Sequence, residues 1–283
     1  MKIMHIVNER ANYLMDNVYD IKVQNNLNFI LPVGHRLGKS GFNKQRKKAA
    51  IIVHLHYFDT IEYYLKYIEK IPDTIEILIT TSSDEVRDRL CKTKFRKQCN
   101  CRIIQKPNRG RDISAFLVAC REEILKYEYI CFLHDKKEKC ELYKKDTEEW
   151  IRCLWENMIG SIEYIDNILL TFCENLNLGL LVPPSPLSDH FASAYLNTWY
   201  KNFYQTKKLV EQMNLACDLN EDKPPITLGS VFWARVSALK KLLEIEWKYE
   251  DFDEEPLKNE GTTSYAIERI LAYVAQDAGY DTG

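Results

Sequence analysis

The chain has 283 residues, 46% apolar and 28% charged, with 39 Lys plus Arg, 41 Asp plus Glu and a net charge of −2. That composition supports a buried core and excludes a mainly disordered chain. The near-neutral charge argues against a basic nucleic-acid binder, so no nucleic-acid partner is expected. No apolar run reaches the ~18 residues of a membrane span.

Residues 1–48 differ from the rest. They hold Asn25-Asn26-Leu27-Asn28 and a basic tract, Lys44-Gln45-Arg46-Lys47-Lys48. They are expected to be an extension and linker, and the tract is a solvated linker or a contact with phosphates or an anionic membrane face. Met1 to Asn8 carries one Lys and too short an apolar stretch for a secretory signal. The nine cysteines are scattered, with Cys99-x-Cys101 the only close pair. They read as reduced thiols of a cytoplasmic protein rather than as a zinc site or disulfide framework.

From residue 49 a strand–helix rhythm begins. Strands are expected at 50–56, 74–80, 101–104 and 129–133, with helices at 59–69, 84–97 and 112–126 between them. Runs apolar on both faces fit a parallel sheet covered by helices, and right-handed crossovers make it Rossmann-like. The second half is less regular. Residues 147–174 read as one helix, or as two broken at Gly160. A short strand follows at 178–182, then an aromatic-rich helix at 192–214. A strand at 228–236, a short helix at 237–243 and an amphipathic helix at 263–278 complete the chain. The fold class is α/β: one Rossmann-type sandwich over 49–283, mostly parallel, with a helical insertion in the second half.

Ligands of open parallel sheets sit beyond the carboxyl ends of the strands. After the third strand, Asn108-Arg109-Gly110-Arg111-Asp112 puts two guanidiniums at a helix start, with Asp112 able to cap that helix. It is a diphosphate or carboxylate site, or else a capped turn. After the fourth strand, His134-Asp135 could bind a divalent metal, and Lys136 and Lys137 could neutralise phosphate without one. His54 and His56 share one face of the first strand and are followed by Tyr57 and Asp59; each His is structural or functional. Gly229-Ser230-Val231-Phe232-Trp233-Ala234-Arg235 is either a core strand beside a glycine bulge or an aromatic wall for sugar stacking with an Arg nearby. Glu260 precedes a Gly261-Thr262 turn into the last helix. Within that helix Glu268-Arg269 is a buried salt bridge or a general base with its partner.

Five ordered blocks resemble the rhamnan synthesis protein F family over about residues 49–280. They are the runs from Ala50 to Asp59, from Pro107 to Ile113, from Tyr129 to Lys137 and from Gly229 to Arg235, and Gly261-Thr262 through Ala266-Ile267-Glu268-Arg269. The resemblance implies a GT-A-type glycosyltransferase of bacterial cell-surface polysaccharide or lipopolysaccharide synthesis. Its donor would be a nucleotide-sugar, dTDP-rhamnose above all, and its acceptor a lipid-linked or growing saccharide. His54 to Asp59 would line the nucleotide pocket, and Arg109, Arg111 and Lys136 would hold the diphosphate. Attack would proceed with inversion, with Asp112, Glu260 or Glu268 as base. GT-A enzymes commonly carry Asp-x-Asp where this chain has His134-Asp135-Lys136. Asp135 is then the one metal-ligand candidate for Mg or Mn, and a lysine the alternative cation. Ser264-Tyr265 stands where the family tends to have a His. The chain stops at Gly283, soon after its last helix, and is expected to be part of a longer protein with a partner domain or a membrane-facing tail.

Two competing expectations remain. One is a nucleotide-sugar-modifying or phosphate-ester enzyme on the same sheet, though not a dehydrogenase, since the Gly-x-Gly-x-x-Gly turn that would favour one is absent after the first strand. A non-catalytic saccharide-binding or scaffold module remains the other alternative.

Overall fold

The computed structural model describes residues 29–38, 42–92, 100–138, 140–184, 199, 201–219, 221, 227, 229–257 and 261–283. A short helix α1 (Phe42–Arg46) leads into β1 (Ala49–His54). A 3-10 turn (Phe58–Thr60) and α2 (Ile61–Ile68) connect to β2 (Glu76–Thr81), and α3 (Asp84–Lys92) precedes β3 (Cys101–Gln105). The helix expected at 112–126 is broken. It runs as α4 (Arg111–Ser114), a π turn (Ala115–Ala119) and α5 (Arg121–Ile124) before β4 (Tyr129–His134).

The span 147–174 is two helices, α6 (Lys144–Ile159) and α7 (Ile162–Glu174). Ser161 separates them, accepting a hydrogen bond from the Tyr164 N–H as an N-cap. Then come β5 (Leu178–Leu181), α8 (Phe203–Met213), β6 (Phe232–Arg235), α9 (Lys240–Glu244), α10 (Thr263–Asp277) and a two-residue β7 (Asp281–Thr282). Of the helix expected at 192–214, residues 192–198 lie outside the described residues, as does Leu228 of the expected strand 228–236.

The seven strands form one sheet in the order β3-β2-β1-β4-β6-β5-β7. Pairing is parallel from β3 to β4, antiparallel on both sides of β6, and parallel again between β5 and β7. The fold is therefore the mixed, mostly parallel α/β sandwich expected. Side-chain alternation splits the core in two. Ile51, Val53, Ile77, Ile79, Cys131, Leu133 and Trp233 face α2, α6 and α7. Ile52, Leu78, Ile130, Phe132 and Phe232 face the opposite way, toward the π turn, α8, α9 and α10. No described helix is long and apolar enough to cross a membrane, and the eight described cysteines are free thiols.

Candidate active site at the carboxyl edge of the sheet

The parallel strands β1, β2, β3 and β4 end on one edge, and the polar side chains gather there. His54, the last residue of β1, is buried, with Nδ1 2.9 Å from Thr80 Oγ1 on β2. Burial, helped by Lys106, pushes its pKa down to about 3, so the ring is neutral at ordinary pH. His56 repeats the contact one step outward, with Nδ1 2.9 Å from Ser82 Oγ.

Asp135 closes the loop above β1. Its Oδ2 accepts the backbone N–H groups of His56 and Tyr57, each at 2.8 Å. Burial nevertheless pushes its pKa up to about 7. Asp135 is thus committed to shaping the His56–Tyr57 turn. Among the described residues no group of three or more His, Cys, Asp or Glu could hold a metal ion.

His134 is buried between two carbonyl oxygens. Nδ1 lies 2.9 Å from Asp135 O and Nε2 lies 2.7 Å from Gly229 O, while Asp112 Oδ2 is 3.6 Å from Nε2. Only the imidazolium donates to both carbonyls. Burial opposes that charge and holds the pKa below the ordinary value, with Asp112 the largest opposing influence. For Asp112, burial acts upward, but His134, Lys136 and His54 outweigh it and keep the carboxylate below its usual range. Asp112 does not cap its helix. Gly110 takes the N-cap position with φ 70°, and Asp112 lies in the first turn.

The two arginines part company. Arg109 is absorbed by the 250–254 segment: Nε donates to Phe252 O at 2.8 Å and Nη2 to Glu250 O at 3.1 Å. Its guanidinium shapes a wall and is not free to hold a diphosphate. Arg111 stays at the surface, with Nε 3.2 Å from Glu255 Oε1 and Nη1 3.3 Å from Tyr265 Oη. Gly110 between them is required. A Cβ there would stand 2.6 Å from Phe252 Cγ.

Two lysines complete the edge. Lys106, absent from the expected site, is buried with Nζ donating to Pro107 O at 2.8 Å and Arg109 O at 3.2 Å. Burial pushes its pKa down to about 8. The signal was present in the sequence, since Lys106 is the first residue beyond β3. Lys136 places its ammonium 4.7 Å from the Trp150 ring centroid. Its pKa is lowered by burial against the pull of Glu268 and Asp112. Lys137 points elsewhere and pairs with Asp59 on the surface.

Glu268 anchors the Gly229 turn. Its Oε1 accepts the Gly229 N–H at 2.7 Å and lies 2.7 Å from Arg269 Nη1 as an ion pair. The pair is thus a buried salt bridge with a positioning task. Thr262 caps α10, accepting from Tyr265 N–H at 3.4 Å. Asn108 accepts from Ser82 Oγ at 3.4 Å. Glu260 lies outside the described residues.

The aromatic block is corrected. Phe232 and Trp233 are 1% and 0% exposed, and the Trp233 indole N–H donates to Met158 O at 3.0 Å. They are core and cannot stack a sugar. Arg235 pairs in register with Tyr129, at the amino end of β4, because β6 runs antiparallel. It bonds Leu178 O and Phe172 O on the far side of the sheet from the site.

Two curated relatives from different strains of Xanthomonas campestris pv. campestris, both called uncharacterized protein WxcX, are each 26% identical over 233 residues. The match covers 82% of this chain and 32% of each relative, so the chain spans about a third of their length. The family model for rhamnan synthesis protein F matches residues 1–280. With nearly the whole length matched, the chain belongs to the rhamnan synthesis protein F family.

Proposed function

We propose that this chain is a glycosyltransferase domain that moves a sugar from a nucleotide-sugar, dTDP-rhamnose first among them, onto a lipid-linked or growing saccharide. The observation that carries the reading is the placement of Lys106 and Lys136 in the field of one largely enclosed carboxylate, Asp112, with Arg111 beside it in the chain, at the carboxyl ends of β3 and β4. Family membership supplies the sugar chemistry, and the cations supply the place for a diphosphate.

In this reading the donor diphosphate lies against Lys136 and Arg111, with Lys106 stiffening the turn beneath it. The acceptor hydroxyl attacks the anomeric carbon, and a new C–O bond forms as the bond to the diphosphate breaks. The attack comes from the opposite face and inverts the centre. The hydroxyl proton passes to Asp112, which its cationic neighbours keep ionised. The leaving nucleoside diphosphate takes the bonding pair and is stabilised by the lysines and Arg111. No step in this reading is routed through a metal.

A thermal-shift panel of dTDP, UDP, GDP and CMP, each with and without Mg²⁺ or Mn²⁺, tests this. A nucleotide at a hundred times its Kd adds about 2.7 kcal/mol to the native state. The expected outcome is a rise of several degrees, selective for dTDP and unchanged by metal. A folded chain that no nucleotide stabilises would leave the saccharide-binding module as the better reading.

A further inference from the structure

A groove of about 460 Å³ runs between α8 and the segment from Ile245 to Asp251 and reaches Thr263 at the start of α10. That size falls within the roughly 300–1,000 Å³ of small-ligand sites. We infer that this groove is a saccharide subsite, the place where the acceptor glycan lies beside the donor edge. The inference rests on the transferase reading for the word acceptor, but not for the chemistry of the groove.

Three observations carry it. The first is the lining. Gln205 and Gln212 from α8 present uncharged amides, which can each donate to and accept from neighbouring sugar hydroxyls. Ile245 adds a partly exposed apolar patch to the floor, backed by the buried Leu209 and Trp247. The Trp247 indole N–H is already bonded to Leu242 O at 3.0 Å, so this ring fixes the wall and offers no donor.

The second is charge. Lys248 is the single cation of the lining, against Glu246 and Asp251. A net excess of carboxylate repels a phosphate or nucleotide and tolerates a neutral polyol.

The third is place. The segment that walls the groove is the one Arg109 grips from behind, through Phe252 O and Glu250 O. At the other end, Thr263 lines the groove and donates its backbone N–H to Asp253 at 3.2 Å. Two residues on, Tyr265 Oη meets Arg111. The groove therefore shares its wall with the β3 turn.

The test uses the full chain, a rhamnose trisaccharide as probe, and dTDP separately. The trisaccharide is expected to shift the side-chain amide NMR signals of Gln205 and Gln212 saturably. The double variant Gln205→Ala/Gln212→Ala should bind it at least tenfold more weakly, with melting temperature and dTDP stabilisation unchanged. Unaltered trisaccharide affinity in that variant, or no saturable shift while dTDP still stabilises, overturns the subsite. Movement of the same amides by dTDP alone also overturns it, since the groove would then belong to the donor. Trisaccharide binding without any dTDP stabilisation keeps the saccharide site and removes only the transferase reading.

Discussion

Two charged residues at the carboxyl edge do opposite things at the residue scale. Lys136 holds its ammonium over Trp150 with Asp112 and Glu268 in its field. Charge-assisted bonds to a phosphate contribute roughly 1.5–3 kcal/mol each, so Lys136→Met should weaken dTDP binding by about tenfold or more. Its melting temperature without nucleotide should hold or rise, because a partly buried charge is removed. A variant that loses stability and dTDP binding together, read by thermal shift and calorimetry, would make Lys136 structural. Asp135 is the contrary case. Its folded pKa of about 7 lies above the ordinary 3.8, so between those values the native state binds more protons than the unfolded chain. Stability from this group is therefore present below about pH 4 and is lost as pH rises toward 7. Asp135→Asn keeps an oxygen for the His56 and Tyr57 N–H groups and carries no charge. Its melting temperature should exceed that of the parent at pH 8, with the gap closing near pH 4. Parallel profiles across that range would show that Asp135 does not titrate this way.

The elements explain why the edge was legible in the sequence and the far half was not. Strands β1 to β4 were readable to within two residues at each end because parallel strands covered on both faces are continuous apolar runs. The carboxyl-end rule then led directly to His54, Arg111, Asp112 and Lys136. The direction of β6 carries no such signature. A four-residue buried strand reads the same both ways, so Phe232 and Trp233 looked available and Arg235 looked near the site. The π turn at Ala115–Ala119 has no Gly or Pro to announce it, and β7 is too short for periodicity. Glu255 and Tyr265 reach Arg111 across more than 140 residues, which only the fold brings together. The β3 turn depends on one glycine. Gly110→Ala forces φ 70° on a residue with a Cβ and drives that atom into Phe252 and Ser114. Left-handed strain and overpacking together should cost roughly 2–4 kcal/mol. Urea denaturation should show that loss, together with loss of dTDP stabilisation as Arg111 and Asp112 are displaced. A midpoint within experimental error of the parent would show that the turn relaxes freely.

The whole molecule is held at its opposite face by a segment that sequence composition marks as a linker. Asp166 is fully buried on α7, and its carboxylate takes Arg36 Nε at 2.5 Å and Arg46 Nε and Nη2 at 2.7 Å. The neighbouring Asn167 donates to Pro32 O and His35 O and accepts from the Leu37 N–H. Residues 32–37 and Arg46 are thereby strapped across α7, and α1 hands the chain into β1. The family match likewise begins at residue 1, so this stretch lies within the unit shared by the family. Breaking a buried ion pair by removing one partner typically costs about 3–5 kcal/mol, because the remaining charge is left uncompensated. The Arg36 side chain is 39% exposed and that of Arg46 13%. Arg36 can return to water, and the penalty should fall mostly on Arg46. Asp166→Ala should therefore lower stability by roughly 3 kcal/mol, at the low end of that range. Arg46→Ala should reproduce most of the loss, and Arg36→Ala little of it. Equal, small effects from all three in urea denaturation would show that the strap is held by its backbone bonds to Asn167 instead. Because the strap's side-chain bonds go to α7 and not to Lys136 or Asp112, dTDP stabilisation of the Asp166→Ala chain should match that of the parent at temperatures where both are folded.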